Sequence, residues 1–228
     1  ADGIQDGTEI GLTAGQGSGT NAAIFKADLD SATTTNPLDD DSDDDGIKAG
    51  NEDANRNGRV DATETNPNLA DTDADGLLDG TEIGLAAPQG TGTNAAIFKA
   101  DLDTSTTTNP LDDDVDDDGI KDGNEDANRN GRVDATQTNP NLADTDADGL
   151  HDGTEIGLTA AHGSGANAAI CKADHGPATT TTPPDTTAGP HRTQHRHEHR
   201  GPQEPGDPRG RRPDRHRPAV PGQTSRCR

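Results

Sequence analysis

The chain has 228 residues, with 19 Lys and Arg against 43 Asp and Glu, and a formal net charge of −24. Only 25% of residues are apolar, with two Phe and no Trp, Tyr or Met, while Gly and Pro number 28 and 15, so the sequence supports neither a conventional hydrophobic core nor an apolar run long enough to span a membrane. The excess of acid argues against nucleic acid or an anionic lipid surface as a partner and demands a cation, because two cysteines, Cys171 and Cys227, cannot staple a chain of this length.

The first residues, ADGIQDGTE, are the end of a motif that is complete further along, which predicts further residues ahead of Ala1. The block that starts at Ala1 returns at Ala74 and again at Ala147, an offset of 73. The organisation reads as repeat 1 over 1–73, lacking its N-terminal part, repeat 2 over 74–146, a partial third repeat over 147–185, and a tail over 186–228. Near-identity between copies points to recent duplication. Each period has an acidic half, such as Asp39 to Glu82, and a Gly, Ala and Thr-rich half, such as Ile83 to Thr108. The second half predicts loop with a small apolar anchor, at most a short helix or strand around Phe98, and a Thr run that serves as spacer.

The acidic half carries the chemistry. Asp71 to Glu82 reads DTDADGLLDGTE, with acids at positions 1, 3, 5, 9 and 12 and Gly at position 6. A hard cation that takes six to eight oxygens fits this spacing: Asp71, Asp73 and Asp75 donate carboxylates, Leu77 its carbonyl, Asp79 acts directly or through water, and Glu82 closes the shell. Gly76 permits the sharp turn. Asp144, Asp146, Asp148, Asp152 and Glu155 repeat the pattern with His151 inside the loop. Asp41, Asp43, Asp45 and Glu52 form a loop with Ala49 at position 9, whereas its copy, Asp114, Asp116, Asp118, Asp122 and Glu125, keeps the acid there, so the copy is expected to bind more tightly. A further loop follows without spacer, with Asp53, Asn55, Asn57, Asp61 and Glu64 in the ligand positions; two carboxylates have become amides and Arg56 and Arg59 lie inside, which predicts a weaker site. Its copy has Asp126, Asn128, Asn130 and Asp134 but ends in Gln137, and is expected to be the weakest of the six complete loops. Gly and acids at fixed offsets in six loops separate this pattern from a solvated acidic run.

An EF-hand needs a helix on each side, yet Pro67 and the glycines interrupt any helical period and the junction Glu52-Asp53 leaves no residues for one. The GG-rich nonapeptide pattern of calcium-binding β-helices is also missing. The segments TNPNLADTDADGLLDGTE from Thr65 and TNPLDDDSDDDGIKAGNE from Thr35 resemble the bacterial thrombospondin type 3 repeats, whose pattern is TNP, a short spacer and DxDxDGxxDGxE. The resemblance covers residues 1 to 174 and departs at Ala49, at Gln137 and in the long Gly/Ala/Thr insert. It implies an irregular, helix- and strand-poor repeat array filled with Ca2+, forming an extended rod on a secreted or cell-surface protein attached to an outer membrane through another part. Pro restricts its own φ and pushes the preceding Asn towards extended geometry, so TNP reads as a stiff connector that fixes the approach to each loop.

Repeat register holds to Asp185 and then fails: TTAGPHRTQHRHEHR stands where acids would recur, and the sign of charge reverses. The tail is expected to be disordered and to arise from a shifted reading frame, since Asp codons read one or two bases late give Thr and Arg. The rival expectations are a zinc or nickel tract of His191, His195, His197 and His199 or a basic tail that binds the acidic array, and Cys171 and Cys227 read as accidental.

Together these features predict a calcium-binding spacer that folds as it binds, with other surface or matrix proteins as partners and no nucleic acid or membrane insertion. The alternative is an acidic, disordered polyelectrolyte that buffers calcium or binds mineral. No nucleophile or phosphate-loop motif supports an enzyme.

Overall fold

The computed structural model describes residues 2–164. The tail over 186–228, Cys171 and Cys227 therefore lie outside the described residues. The described chain is irregular: it contains five single-turn helices and no strand. These are α1 (Asp6–Glu9), α2 (Ala49–Glu52), α3 (Asp79–Glu82), α4 (Asp122–Glu125) and α5 (Asp152–Glu155).

Each helix occupies positions 9 to 12 of an acidic loop, so the closing Glu stands at the end of a formed turn. After DGTE the turn stops at a glycine. Gly84 takes φ +86°, donates to Thr81 O at 3.1 Å, and lets Leu85 N reach Gly80 O at 2.9 Å, the paired bonds that satisfy the last carbonyls of a helix. The stretch around Phe98, expected to be loop with at most a short helix or strand, contains no helix or strand.

The interior is inverted relative to an ordinary domain. Among the described residues the buried apolar side chains are Ile47, Ala49, Leu77 and Ile120, and buried carboxylates outnumber them severalfold. Such an interior yields little apolar stabilisation and a large desolvation cost, so it needs compensating charge.

Five acidic loops meet in chain order, each joined to the next through a carbonyl and a glycine. A Cβ built on Gly123 would lie 2.6 Å from the Asp75 carbonyl oxygen; at Gly50, Gly80 and Gly153 the carbonyl oxygens of Asp2, Asp45 and Asp118 stand closer still. Glycine is therefore required at position 10, because only a bare Cα lets one loop's backbone rest on the next. Lys121 ties one of these joints from outside, its Nζ lying 2.9 Å from both Asp113 Oδ2 and Ala74 O.

The Gly/Ala/Thr half is loop anchored on the preceding repeat, with Phe98 as its apolar contact, and it is not mere spacer. Gln89 N donates to Gly46 O at 2.8 Å, Gly92 N to Asp40 Oδ1 at 2.8 Å and Asn94 N to Asp44 Oδ1 at 2.7 Å, and the Thr93 hydroxyl donates to Asp41. Residues 89–94 thus lie back across loop 41–52 of the preceding repeat. The Gly92 N–H first, then Lys48 at 3.2 Å and the Thr91 N–H, hold the Asp40 carboxyl below its ordinary range against the opposing effect of burial. Phe98 seats on Gly46, where a Cβ would collide with its ring. His162 N bonds Gly119 O at 2.8 Å in the next repeat, so the arrangement recurs. The Thr run is likewise engaged: Thr108 N bonds Glu82 O at 3.0 Å and Thr106 Oγ1 bonds Asp103 O at 2.9 Å. Phe98→Ala is expected to release residues 89–98 at a cost of about 1–2 kcal/mol, in line with partial loss of an aromatic contact. Amide hydrogen exchange checks this: faster exchange at Gln89, Gly92 and Asn94 with little change at Leu77 is the expected pattern, and uniform exchange would refute it.

Candidate metal centres

All six complete loops share one backbone path. Position 4 has a left-handed φ in each, between 58° and 70°, although it is Asp44, Arg56, Ala74, Asp117, Arg129 or Ala147. A non-glycine residue there is strained, and the strain is held by bonds from the acids. The Gly at position 6 donates to the first Asp: Gly46 to Asp41 at 3.1 Å, Gly76 to Asp71 at 3.0 Å, Gly119 to Asp114 at 3.1 Å and Gly149 to Asp144 at 2.9 Å. One oxygen of the fifth-position Asp accepts from residue 7, as in Ile47 to Asp45 at 2.6 Å and Ile120 to Asp118 at 2.7 Å. These bonds pull the three carboxylates inward together.

As a result Asp41, Asp43 and Asp45 bring ligand atoms within 4.8 Å of one another, as do Asp71, Asp73 and Asp75, and Asp114, Asp116 and Asp118. Loop 144–155 repeats the same internal bonds through Asp144, Asp146 and Asp148. A second kind of group spans two loops: Asp45 and Glu52 gather with Asp79 of the next stacked loop, and Asp75 and Glu82 gather with Asp122. Position 9 thus faces two ways. Asp122 Oδ1 accepts from Val115 N of its own loop at 3.0 Å, and its Oδ2 is buried without a partner where the acids of the preceding loop converge. Asp152 repeats half of this arrangement, bonding Thr145 within its loop at 2.6 Å while the adjacent Gly153 N donates to Asp118 Oδ2 at 2.9 Å.

The closing glutamates are oriented by the threonines of TNP. Thr65 Oγ1 lies 3.1 Å from Glu52 Oε1 and Thr108 Oγ1 lies 3.0 Å from Glu82 Oε1, which leaves Oε2 of each buried and unpartnered. Glu52 is 3% exposed and Glu82 2%. The Asn of TNP anchors its own loop instead: Asn66 N bonds Thr72 Oγ1 at 2.9 Å and Asn139 N bonds Thr145 Oγ1 at 2.8 Å. TNP therefore links a closing Glu behind it to a loop ahead, which is more than a stiff connector. The threonines carry no acid, so a search for ligands passes over them.

Crowding of acids shows in their titration. Burial first, then neighbouring carboxylates, pushes Glu52, Glu82 and Glu125 up to about 10, and Asp45 and Asp122 up to about 8. A buried carboxylate without a counter-charge must take a proton or a metal ion.

The two amide-containing loops differ. In loop 53–64, Asn55 Nδ2 donates to Asp61 Oδ2 at 2.9 Å and to Glu64 Oε1 at 3.0 Å, and Arg59 Nε donates to Asp61 at 2.8 Å. Hydrogen bonds from Asn55, Asn57 and Arg59 hold the Asp61 carboxyl below its ordinary range. Asn128 and Arg132 do the same for Asp134, while Asn130 Oδ1 accepts from Arg132 N. Gln137 closes this second loop with Oε1 on Asp134 N at 2.8 Å and Nε2 on Asp126 at 3.1 Å. Here internal donors satisfy acids whose counterparts in other loops, such as Asp122 Oδ2 and Glu52 Oε2, have no hydrogen-bond partner. An amide rotated by half a turn would present Oδ1 instead, so each loop has both options built in.

Compared with family models, with curated proteins and with solved structures, the chain matches none. The acidic groups are of a kind that can hold a metal ion, and among the described residues no helix is long and apolar enough to cross a membrane.

Proposed function

We propose that this chain is a calcium-binding structural spacer of a secreted or cell-surface bacterial protein, built on the plan of the thrombospondin type 3 repeats. The observation that carries this reading is the set of buried carboxylate oxygens without partners, Glu52 Oε2, Glu82 Oε2, Asp122 Oδ2 and both oxygens of Glu125, gathered at the joints between loops. Hard oxygen donors alone, with no His or Cys among them, favour calcium over zinc or copper. Leu77 and its counterparts stand two residues after each fifth-position Asp, and their carbonyls are the seventh-position donors of this reading.

A cation shared by two loops fixes their relative placement, and a series of such joints turns a self-repelling acidic chain into an extended rod. Stalk or spacer action on the outside of a cell follows from the calcium concentrations found there, which match sites with dissociation constants of about 0.1–1 mM. Attachment and adhesive partners, such as other surface or matrix proteins, belong to this reading. Catalysis is not part of this reading.

Isothermal calorimetry with calcium, paired with small-angle scattering, tests the proposal. Saturable uptake of several ions with a change to a more extended and better-defined shape is the expected result. Weak, diffuse uptake that disappears in moderate salt without a change of shape would instead identify an acidic polyelectrolyte.

A further inference from the structure

The ninth residue of a loop lies at the joint with the loop before it, and this changes what Ala49 means. Asp79 is fully buried beside Asp45 and Glu52, and Asp122 is fully buried beside Asp75 and Glu82. Gly80 N and Gly123 N, one residue further on, donate to the fifth-position Asp of the same preceding loop at 3.1 and 2.8 Å. Ala49 occupies the equivalent place against residues 2–9. It is fully buried, and the next residue, Gly50, rests on the Asp2 carbonyl. Among the described residues the acids across this joint are Asp2 and Glu9, and Ala49 adds no carboxylate to them. Asp2 Oδ2 is buried here and has no partner, whereas its counterparts on Asp45, Asp75 and Asp118 accept a glycine N–H.

Resting on the cation-binding reading above, we propose that the ninth side chain is a ligand of the preceding loop's cation, so that Ala49 weakens the joint between residues 2–9 and 41–52 and leaves loop 41–52 completed by Asp79. The first joint is then the step that fills last and empties first as calcium falls. The other joints stay locked, so the array loosens at one defined place.

The test is Ala49→Asp in the full chain, titrated with calcium alone, with Asp2→Asn and Asp43→Asn each made in both backgrounds. Asp is accommodated at this position in α3, α4 and α5, and far-ultraviolet circular dichroism in saturating calcium checks that the variants adopt the same fold. A gain of one ion, or of on the order of tenfold in the weakest affinity, is expected for Ala49→Asp. That gain should vanish with Asp2→Asn and persist with Asp43→Asn, a coupling read from the two mutant cycles. A gain that survives Asp2→Asn but is lost with Asp43→Asn would assign the ninth residue to its own loop and overturn the proposal. So would the absence of any gain while the unsubstituted chain binds ions at its other joints. An unsubstituted chain that takes up no calcium would overturn the cation reading itself, and that outcome is seen before any variant is compared.

Discussion

Chelating calcium at neutral pH is expected to unfold the stacked loops, and acidifying the chelated protein to about pH 4 is expected to restore part of their order. The sign follows from the buried acids. Glu52, Glu82 and Glu125 rise from 4.5 to about 10, Asp45 and Asp122 from 3.8 to about 8, and Asp43, Asp73, Asp114 and Asp116 from 3.8 to about 7, in each case chiefly through burial. Between the ordinary values and these raised ones, the metal-free fold holds protons that the unfolded chain has released. Its stability is therefore full below about pH 4 and falls as pH rises through 7 and on to about 10. On the calcium-binding reading the ion is expected to reverse the slope, because ion and proton would compete for the same oxygens and acid would drive the ion out. Circular dichroism or hydrogen exchange, read with chelator and with calcium across this range, should give two curves of opposite slope that converge in acid. Calcium added near pH 7 should also release protons, seen as a binding heat that depends on the buffer. Parallel curves and no proton release would show that these carboxylates are already ionised and solvated, and the metal-built interior would fall with them.

The second large effect concerns backbone contact. Gly80→Ala and Gly123→Ala are expected to destabilise the calcium-loaded array by about 1–3 kcal/mol each, and by more if the joint opens and loses its shared ion. The added methyl group meets the carbonyl of Asp45 or Asp75, which is fixed by its loop and cannot turn aside as a long side chain would. Gly19→Ala provides the comparison, since a Cβ there meets nothing within 4 Å and its φ is not left-handed. Thermal unfolding in saturating calcium separates the three. If Gly80→Ala melts together with Gly19→Ala, the close stacking of loops is not what holds them.

Much of the candidate site was legible in the sequence because its acids recur at fixed offsets. The first, third and fifth Asp lie close together in loops 41–52, 71–82 and 114–125, and the helix-poor, strand-poor character followed from Pro, Gly and the scarcity of apolar residues. What stayed hidden has physical reasons. The left-handed residue at position 4 is Asp, Arg or Ala, so its chemistry gives no signal; the path is imposed by hydrogen bonds to neighbouring acids. A template for one loop assigns Asp79 and Asp122 to their own loops, and only the three-dimensional stacking places them beside Glu52 and Glu82 as well. Buried Asp28 and Asp101 in the two KADLD segments were passed over too, since each lies outside every 12-residue window. The Thr-rich run looked like spacer for a similar reason: its bonds reach residues of other loops, and sequence distance conceals them.

The overlap of residues 89–94 with loop 41–52 has a consequence for how such a chain can be divided or lengthened. Each unit covers part of the one before it, as roof tiles do, so no cut in the sequence coincides with a clean surface. Severing the chain between Glu64 and Asp71 would break one backbone and still leave the two pieces held by Gln89, Gly92, Thr93 and Phe98. Adding a whole period of 73 residues at any phase, by contrast, reproduces every overlap. Growth by duplication of complete units is thus structurally neutral, while loss of a fraction of a unit strips the cover from an acidic loop some fifty residues away.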